Sequence, residues 1–411
     1  MAEIRPFRAL RPKKEFSDKI AALPYDVYSR EEAAEKVKND RYSFLRIDRP
    51  ETQFSKEQDM YAPEVYKKAS DMLKEMQADG SFIQDEKACY YIYELTMDKR
   101  SQTGLVAVSA VDDYINNVIR KHENTRKEKE ADRIRHVDAC SAQTGPIFLA
   151  YNSNQAVKDI LNKVKQNAAD VDFVADDGIG HRVWIISDDE DIRILTELFA
   201  EMPNTYIADG HHRAASAVAV SLKRRKENPD YTGDEEFNYF LSVLFDADEL
   251  KILDYNRVIK DLNKNTEEEF ISRLAEKFYI SEPSDKQIHP SKKGEMGLYI
   301  KNLWYKLTVR EQFVSDDPVE GLDVAYLQRE VLTPILGISD PTTDNRIDFV
   351  GGIRGLGELE KRCKNDAKAA FAMYPTDIHE LFAVADAKRL MPPKSTWFEP
   401  KLRSGLFIHL I

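Results

Sequence analysis

The sequence predicts an α/β or α+β fold with mixed sheets, and three observations support this class. Residues 88–95 and 104–111 resemble two strands joined by a polar turn, which is typical of a β-hairpin. Strand and helix patterns alternate from residue 145 onward. The 42% hydrophobic residues supply a core, and the 32% charged residues supply a solvated surface. Hairpins combined with strand–helix alternation predict mixed rather than uniform sheets.

The first elements follow from capping and periodicity. Ser29 and Glu32 have the spacing of a capping box and predict a helix that begins there. Residues 42–47 predict a short strand. Apolar residues three or four positions apart follow Pro63 and predict a long amphipathic helix that ends at Gly80.

The middle of the chain alternates regularly between the two-residue apolar period of strands and the 3.6-residue period of helices. The predicted strands are 145–151, 171–174, 183–187, 205–208 and 237–245. The predicted helices are 122–140, 155–167, 191–202 and one that begins near His211.

The C-terminal part predicts a second domain. Helices are expected at 323–332, from 358, and at 376–390, with strands at 347–350 and 369–374. At roughly 150 residues per domain, 411 residues suggest two or three domains. Polar, turn-rich stretches on both sides of Leu250 divide the chain into 1–250 and 251–411. The last segment can fold back on the first domain.

Composition excludes some classes of partner. Lys and Arg total 60 against 72 Asp and Glu, which gives a formal net charge of −12. An acidic chain is repelled by polyphosphate unless its basic residues gather in one patch, so nucleic-acid binding is disfavoured. A small anion at a local positive site remains compatible with this charge.

The cysteines and the lack of long apolar runs indicate the cellular compartment of the protein. Cys89, Cys140 and Cys363 are far apart and lack metal-ligand spacing, which predicts inert thiols in a reducing cytoplasm. The first residues lack the apolar run of a signal peptide, and no stretch approaches the roughly 18 apolar residues of a membrane helix. A cytoplasmic protein without a membrane partner is therefore expected, with its oligomeric state left open.

The sharpest local pattern is Asp209-Gly210-His211-His212-Arg213. Gly210 removes the Cβ that would obstruct a ligand at the start of a predicted helix, where N–H groups are unpaired. The two histidines and Arg213 add donors in the first turn, and this combination is typical of phosphate binding. Asp209 could be a helix cap, a magnesium ligand or a base. The alternative is an ordinary strand-to-helix turn with solvated polar residues.

A second cluster follows the predicted hairpin. His122 or Glu123 could take a proton from a hydroxyl, and Arg126 or Lys129 could meet an anion. The alternative is a solvated mixed-charge helix.

The third cluster is C-terminal. Lys394, Ser395, Thr396 and Lys401 offer ammonium and hydroxyl donors for an anion, although the glycine-rich loop of a Walker motif is missing. A closing strand that docks Trp397 into a core is the structural alternative. Near the N-terminus, Asp26 and Arg46 lie among aromatic residues at expected loop positions and are candidate substrate-binding residues. Asp26 is also a candidate base or metal ligand.

Several segments together resemble a bacterial family known as domain of unknown function 1015. The matching segments are 5–9, 23–27, 43–46, 122–125, 207–213 and 391–407. Residues 209–213 are also similar to the motif of free-serine kinases in the ParB/sulfiredoxin-like superfamily. That resemblance implies a phosphate-binding strand–turn–helix, in which Asp209 through Arg213 hold nucleotide phosphates and a separate glutamate acts as base.

These resemblances lead to one hypothesis and one alternative. The family resemblance implies the serine/phosphoserine pair as substrate, with Mg²⁺ and a nucleotide, ADP or ATP, as cofactors that the site allows. The chain would be a serine kinase-like phosphotransferase or a phosphoserine phosphatase, with no metal ligands assigned. No segment matches the catalytic glutamate, so the catalytic candidates are Glu123, His122, Asp209 and His212. The alternative is a non-catalytic ParB-like regulatory protein that binds nucleotide or DNA, with residues 223–226 as its basic run.

Overall fold

The computed structural model describes residues 1–125 and 127–411. The chain divides into two compact units, of which unit 1 comprises Met1–Leu250 with Pro400–Ile411 and unit 2 comprises Lys251–Glu399. The C-terminal residues therefore fold as part of unit 1. Among the residues described, no helix is both long and apolar enough to span a membrane.

Unit 1 contains the first twelve strands, the first nine α-helices and the last strand. Its strands are β1 (Ile4–Arg5), β2 (Leu10–Pro12), β3 (Phe82–Gln84), β4 (Tyr90–Met97), β5 (Arg100–Ala110), β6 (Ile119–Arg120), β7 (Ala142–Gln143), β8 (Ile147–Tyr151), β9 (Val171–Val174), β10 (Gly180–Ile186), β11 (Thr205–Asp209), β12 (Tyr239–Asp246) and, at the C-terminus, β21 (His409–Leu410). Its helices are α1 (Ser17–Ile20), α2 (Arg30–Val37), α3 (Leu45–Asp48), α4 (Pro63–Ala78), α5 (Val111–Ile115), α6 (Lys127–Cys140), α7 (Gln155–Val164), α8 (Asp189–Glu201) and α9 (His211–Glu227).

A nine-stranded mixed sheet organises unit 1. Its order is β6-β11-β8-β12-β5-β4-β10-β9, with β1 added beside β5. The pairs β6–β11 and β8–β12 are parallel, and the other pairs of this sheet are antiparallel. Two small pairs, β2–β3 and β7–β21, complete the unit. The parallel pairing of β6 with β11 places the residues that follow both strands at one edge of the sheet.

The core of unit 1 joins the sheet to its helices. Strands β8 and β12 are buried along their whole length, as expected for central strands covered on both faces. Leu149 and Ile207 of the sheet belong to one apolar cluster with Phe199 of α8 and Ala217 of α9. This packing fixes the end of β11 and the start of α9, which carry the motif at 209–213.

Unit 2 is built around a six-stranded antiparallel sheet. Its strands are β13 (Ile252–Leu253), β14 (Tyr255–Ile259), β15 (Phe278–Ile280), β16 (Glu295–Ile300), β17 (Leu303–Val309), β18 (Ile347–Gly351), β19 (Ala369–Ala372) and β20 (Trp397–Phe398). Its helices are α10 (Glu267–Ala275), α11 (Asp323–Leu327), α12 (Leu356–Asn365) and α13 (Ile378–Asp386). The sheet order is β15-β17-β16-β19-β14-β18, with β13–β20 as a separate pair. Trp304, fully buried, lies in its core with Leu359 and Ala370.

The mixed α/β fold class is confirmed, and so are several local elements. Ser29 caps α2 through a complete capping box with Glu32. The predicted hairpin is β4–β5, and α9 begins at His211 as expected. These elements follow from short-range patterns that no distant contact overrides.

The predicted strand at 42–47 is wrong. Asp40 accepts hydrogen bonds from the backbone N–H groups of Tyr42 and Ser43, each at 3.1 Å, and these bonds turn the chain. Helix α3 then covers Leu45–Asp48 and buries Leu45 and Ile47. An apolar run this short fits a buried helical turn as well as a strand, and the local turn decides between them.

Candidate functional site

The junction between β11 and α9 is built around Gly210. This residue has φ of 94° and ψ of 29°, in the left-handed region that L-residues with a Cβ avoid. A Cβ there would lie 3.1 Å from Nε and 3.2 Å from Cζ of Arg213. Gly210 is the N-cap residue of α9 and has no side chain to cap the helix, and the first turn contains no acidic residue. The sharp turn therefore presents the positive end of a 17-residue helix.

Two cations approach the carboxylate of Asp209. Nη2 of Arg213 lies 3.5 Å and Nζ of Lys401 lies 3.7 Å from the same Oδ2 atom. Burial raises the pKa of Asp209, but the charges of Lys401 and Arg213 outweigh it and hold this pKa well below its usual range. The group therefore contains two positive charges and one negative charge at neutral pH.

Arg213 also lines a cleft on the other side of its guanidinium. Its Nη1 donates to the carbonyl oxygen of Pro146. A Cβ on Gly145 would lie 3.1 Å from Oγ of Ser404 and 3.7 Å from Nη1 of Arg213, so the glycine leaves room for both. The cavity has a volume of about 30 Å³, enough for roughly two water molecules. Its polar lining residues are Tyr25, Asp48, Arg133, His136, Gln143, Thr144, Arg213, Ser216 and Ser404.

The deeper part of this cleft carries both signs of charge. The buried carboxylate of Asp48 accepts a hydrogen bond of 2.8 Å from Thr144 Oγ1. Arg133 pairs with Asp132 at 2.8 Å, and its guanidinium lies 4.1 Å from the centre of the Tyr25 ring. Burial raises the pKa of Tyr25 to about 12, although Arg133 and Arg213 oppose this shift. The phenol therefore remains protonated and can donate a hydrogen bond.

A group of imidazoles and a carboxylate lies at the ends of β6 and β11. The rings of His122 and His211 are perpendicular, with centres 4.4 Å apart. Glu123 completes a set whose potential ligand atoms all lie within 4.8 Å of one another. Both histidines are buried, while Glu123 is exposed. The sheet produces this group because β6 and β11 are parallel neighbours.

Burial keeps both imidazoles of this group neutral. It lowers the pKa of His122 to about 4, although Asp209 and a hydrogen bond with the Ile207 backbone act in the opposite direction. It lowers the pKa of His211 well below the usual value, and the neighbouring His122 adds to the effect. Neutral imidazoles can accept protons or bind metal ions, but they provide no positive charge for phosphate.

Mg²⁺ can be tested against these residues. This ion prefers oxygen ligands in octahedral geometry. The group of His122, Glu123 and His211 offers two nitrogen ligands and one carboxylate, which do not match that preference. Asp209 is held by two cations. The site therefore gives no support to a resident magnesium ion.

The remaining predicted residues lie in different places. Arg126 lies outside the described residues. Lys394, Ser395 and Thr396 belong to unit 2, whereas the motif at 209–213 belongs to unit 1. Ser395 Oγ donates to the carbonyl of Pro392, which is a local structural bond.

The two N-terminal candidates lie in clefts other than that of Arg213. Asp26 lines a cleft with Lys129, and Tyr25 and Arg133 separate it from the first cleft because they line both. Arg46 is bonded to Gln53 and to the carbonyl oxygen of Arg41, so its guanidinium stabilises a local turn.

Sequence reasoning missed several residues of the site. Asp48, Arg133, Thr144, Gly145 and Ser404 all line the cleft beside Arg213. They come from distant parts of the chain and form no motif. The one available signal was the isolated glycine directly after Thr144, which marks a close approach of other atoms.

Comparison with known proteins identifies the family. The family described as "Protein of unknown function (DUF1015)" matches residues 4–325, and the chain belongs to this family. The segment 391–407 lies outside the matched range. No curated protein matches the chain.

Some solved structures are similar at low identity. A free serine kinase in complex with AMP is 14% identical, with a TM-score of 0.34, over 74% of this chain and 92% of that one. A conserved hypothetical protein from Pyrococcus furiosus is 14% identical, with a TM-score of 0.33, over 75% and 95%. SbnI with a C-terminal truncation, from Staphylococcus aureus, is 11% identical, with a TM-score of 0.38, over 74% and 87%. At these TM-scores, the similarity carries no conclusion about activity.

Proposed function

We propose that this member of the DUF1015 family is a small-molecule phosphotransferase that acts on the serine/phosphoserine pair. It would work either as a nucleotide-dependent serine kinase or as a phosphoserine phosphatase. One observation carries the proposal. The start of α9 is turned by a left-handed glycine, has no acidic residue in its first turn, and lies beside two cations that share one carboxylate.

The charge balance at this point favours a phosphate group. The side chains of Lys401, Arg213 and Asp209 together carry two positive charges and one negative charge, and the helix adds partial positive charge at its N-terminus. The planar guanidinium of Arg213 can form two parallel hydrogen bonds to a phosphate. The guanidinium of Arg213 has five N–H donors, so it can bind a phosphate while it also bonds the Pro146 carbonyl and pairs with Asp209.

The residues that line the adjoining cleft match the chemical groups of an amino acid and a nucleotide, and ligands of that size require the cleft to open. Asp48 and Arg133 offer opposite charges to the ammonium and carboxylate groups of serine. Val137, Ile147 and Leu241 line the same cleft and offer apolar surface to a base. The similarity of residues 209–213 to the free-serine kinase motif selects serine among small hydroxyl compounds.

Catalysis would consist of positioning and charge neutralisation. In the kinase direction, the serine hydroxyl oxygen attacks the terminal phosphorus of ADP or ATP. The bond from that phosphorus to the nucleotide breaks, and the hydroxyl proton passes to a base. In the phosphatase direction, water attacks phosphoserine, and the bond from phosphorus to the serine oxygen breaks.

The residues divide between these tasks. Arg213 and His212 would stabilise the transferred phosphoryl group, and Lys401 would neutralise part of the negative charge of that group. Asp209 is a poor proton acceptor because its two cations lower its pKa, so we assign it to positioning Arg213. Glu123 would receive the proton, and His122, whose pKa burial lowers to about 4, is the weaker proton acceptor of the two.

A screen by ³¹P NMR and thermal shift tests the proposal. Serine, phosphoserine, phosphate, ADP and ATP are offered to the full chain, with and without Mg²⁺. We expect phosphate turnover on one serine-containing pair and stabilisation by a phosphate ligand. No turnover on any pair, together with no stabilisation by any phosphate compound, would contradict the proposal.

The Arg213→Ala variant tests the location of the site. Loss of a charged hydrogen-bond donor should weaken phosphate binding at least about tenfold. Arg193→Ala is the matched control, because Arg193 is an exposed arginine on α8 that pairs with Glu190 and Glu197. Equal binding by both variants would show that phosphate binds elsewhere.

A DNA-binding regulator is less well supported. Lys223 pairs with Asp138 at 2.6 Å, and Arg225 pairs with Asp112 at 2.6 Å, so acidic side chains neutralise much of the basic run. A DNA mobility shift at near-physiological salt would favour this alternative.

A further inference from the structure

We propose that His122, Glu123 and His211 form a binding site for one divalent transition-metal ion, with Zn²⁺ as its representative. The potential ligand atoms of the three side chains lie within 4.8 Å of one another. This inference goes beyond the phosphotransferase proposal and does not depend on it; with the ion bound, Glu123 and His122 would be ligands rather than proton acceptors.

The topology of the sheet supports this site. Strands β6 and β11 run parallel, with Thr205 opposite Ile119 and Tyr206 opposite Arg120. The segments that follow them leave the same edge of the sheet, where His122 and His211 meet. Ligands commonly bind beyond the carboxyl ends of parallel strands.

The hydrogen bond of the His122 ring leaves the lone pair of Nδ1 available to a metal ion. Its side chain is 2% exposed, and its ring forms a hydrogen bond with the Ile207 backbone. Its Nδ1 has no hydrogen-bond partner in the described part of the chain. The bond to the backbone carbonyl therefore uses Nε2–H, which places the lone pair on Nδ1. Metal-binding histidines commonly donate their other ring N–H to a carbonyl in this way.

A buried nitrogen with an unused lone pair needs an explanation. A polar atom without a partner costs free energy on burial, and native proteins contain few of them. A metal ion bound to Nδ1 would supply the missing partner.

The second imidazole is held only weakly in place. Nε2 of His211 accepts a bond from the backbone N–H of His122 at 3.5 Å, the long limit for a hydrogen bond. Its side chain is 6% exposed, and its position in the first turn of α9 fixes the backbone. The ring can therefore exchange this weak contact for a metal bond without rearrangement of the helix.

Glu123 would provide the third ligand by moving toward the two imidazoles. Ligand atoms at about 2.1 Å from one ion lie roughly 3–3.5 Å apart, so the set must contract by about 1 Å or more. Glu123 is exposed and lies in the segment between β6 and α6, so we assign this contraction to its side chain. The buried histidines can then remain in place.

The ligand types determine the class of ion. Two imidazoles and one carboxylate suit Zn²⁺ and related first-row ions, whereas Mg²⁺ and Ca²⁺ prefer oxygen ligands. Three protein ligands leave at least one coordination position for water or substrate, as in catalytic rather than structural zinc sites.

Metal titration of the full chain tests the inference. The protein is freed of metal with a chelator and titrated with Zn²⁺ in competition with a coloured indicator, without serine, phosphate or nucleotide. We expect one tightly bound ion per chain, and a visible absorption band when Co²⁺ replaces Zn²⁺. The absence of stoichiometric binding would overturn the inference and leave the phosphotransferase proposal unaffected.

Variants locate the ion. Glu123→Gln should weaken Zn²⁺ binding at least tenfold, and His122→Asn and His211→Asn should abolish stoichiometric binding. Glu128→Gln and His379→Ala, at exposed positions on α6 and α13, are the matched controls. Because Glu123 is exposed, its variant keeps the test decisive even if a histidine variant fails to fold. Wild-type affinity in Glu123→Gln would overturn the assignment.

Discussion

Helices α8 and α9 follow β10 and β11, two strands of the same sheet, but the two helices begin in opposite ways. Asp188 caps α8, and its carboxylate accepts from the backbone N–H groups of Glu190 and Asp191, each at 3.1 Å. Helix α9 begins after the left-handed Gly210 and has no acidic residue in its first turn. The first helix start is satisfied by its own chain, whereas the second suits an external anion.

A third helix start shows which arrangement serves stability alone. Asn154 caps α7 and accepts from the backbone N–H groups of Ala156 and Val157. Capping of this kind stabilises a helix by about 1 kcal/mol. Helix α9 forgoes it and is held by packing instead, since Ala214, Ala217 and Val220 are buried. Helix α9 therefore lacks the local stabilisation of a cap at the position where the candidate site lies.

The largest effect is expected from Gly210→Ala. A residue with a Cβ in the left-handed region costs roughly 1–2 kcal/mol, and this Cβ would also press on Arg213. Urea unfolding should show that loss, and phosphate binding should fall with it. Gly178→Ala is the control, because Gly178 has φ of 80° but nothing within 4 Å of the added Cβ. If Gly178→Ala impairs phosphate binding equally, the contact between the added Cβ at position 210 and Arg213 is not the cause of the lost binding.

A smaller effect is expected from Asp188→Ala. Loss of the α8 cap should lower the free energy of unfolding by about 1 kcal/mol, while phosphate binding stays unchanged. Asp188→Asn, which keeps an accepting oxygen, should retain most of the stability. The comparison of the two helix starts breaks down if removal of the α8 cap weakens phosphate binding.

The smallest effect on stability is expected from Asp209→Asn. This side chain is 38% exposed, and partly exposed ion pairs contribute little to folding. Removal of its negative charge makes the surroundings of Arg213 and Lys401 more positive, so inorganic phosphate should bind more tightly at low salt. Isothermal titration calorimetry at two ionic strengths measures the affinity for inorganic phosphate. Weaker binding would mean that the position of Arg213 matters more than net charge.

The local elements were predictable, since each depends on residues close in the chain. The capping box at Ser29 and the start of α9 at His211 are examples. Residues 42–47 show the limit of such reasoning, because a turn made by Asp40 overrode an apolar pattern that fits either a strand or a helix. Short apolar runs carry too little periodicity to choose.

The sequence by itself determined the mixed α/β class, the glycine turn and the donor-rich first turn of α9, because periodicity, capping and backbone sterics act over a few residues. Only the tertiary structure decided what surrounds that turn. The parallel pairing of β6 with β11 brings His122 to His211, and residues 400–411 bring Lys401 to Asp209. Such proximity depends on strand order and on where the chain returns, and neither leaves a local pattern in the sequence.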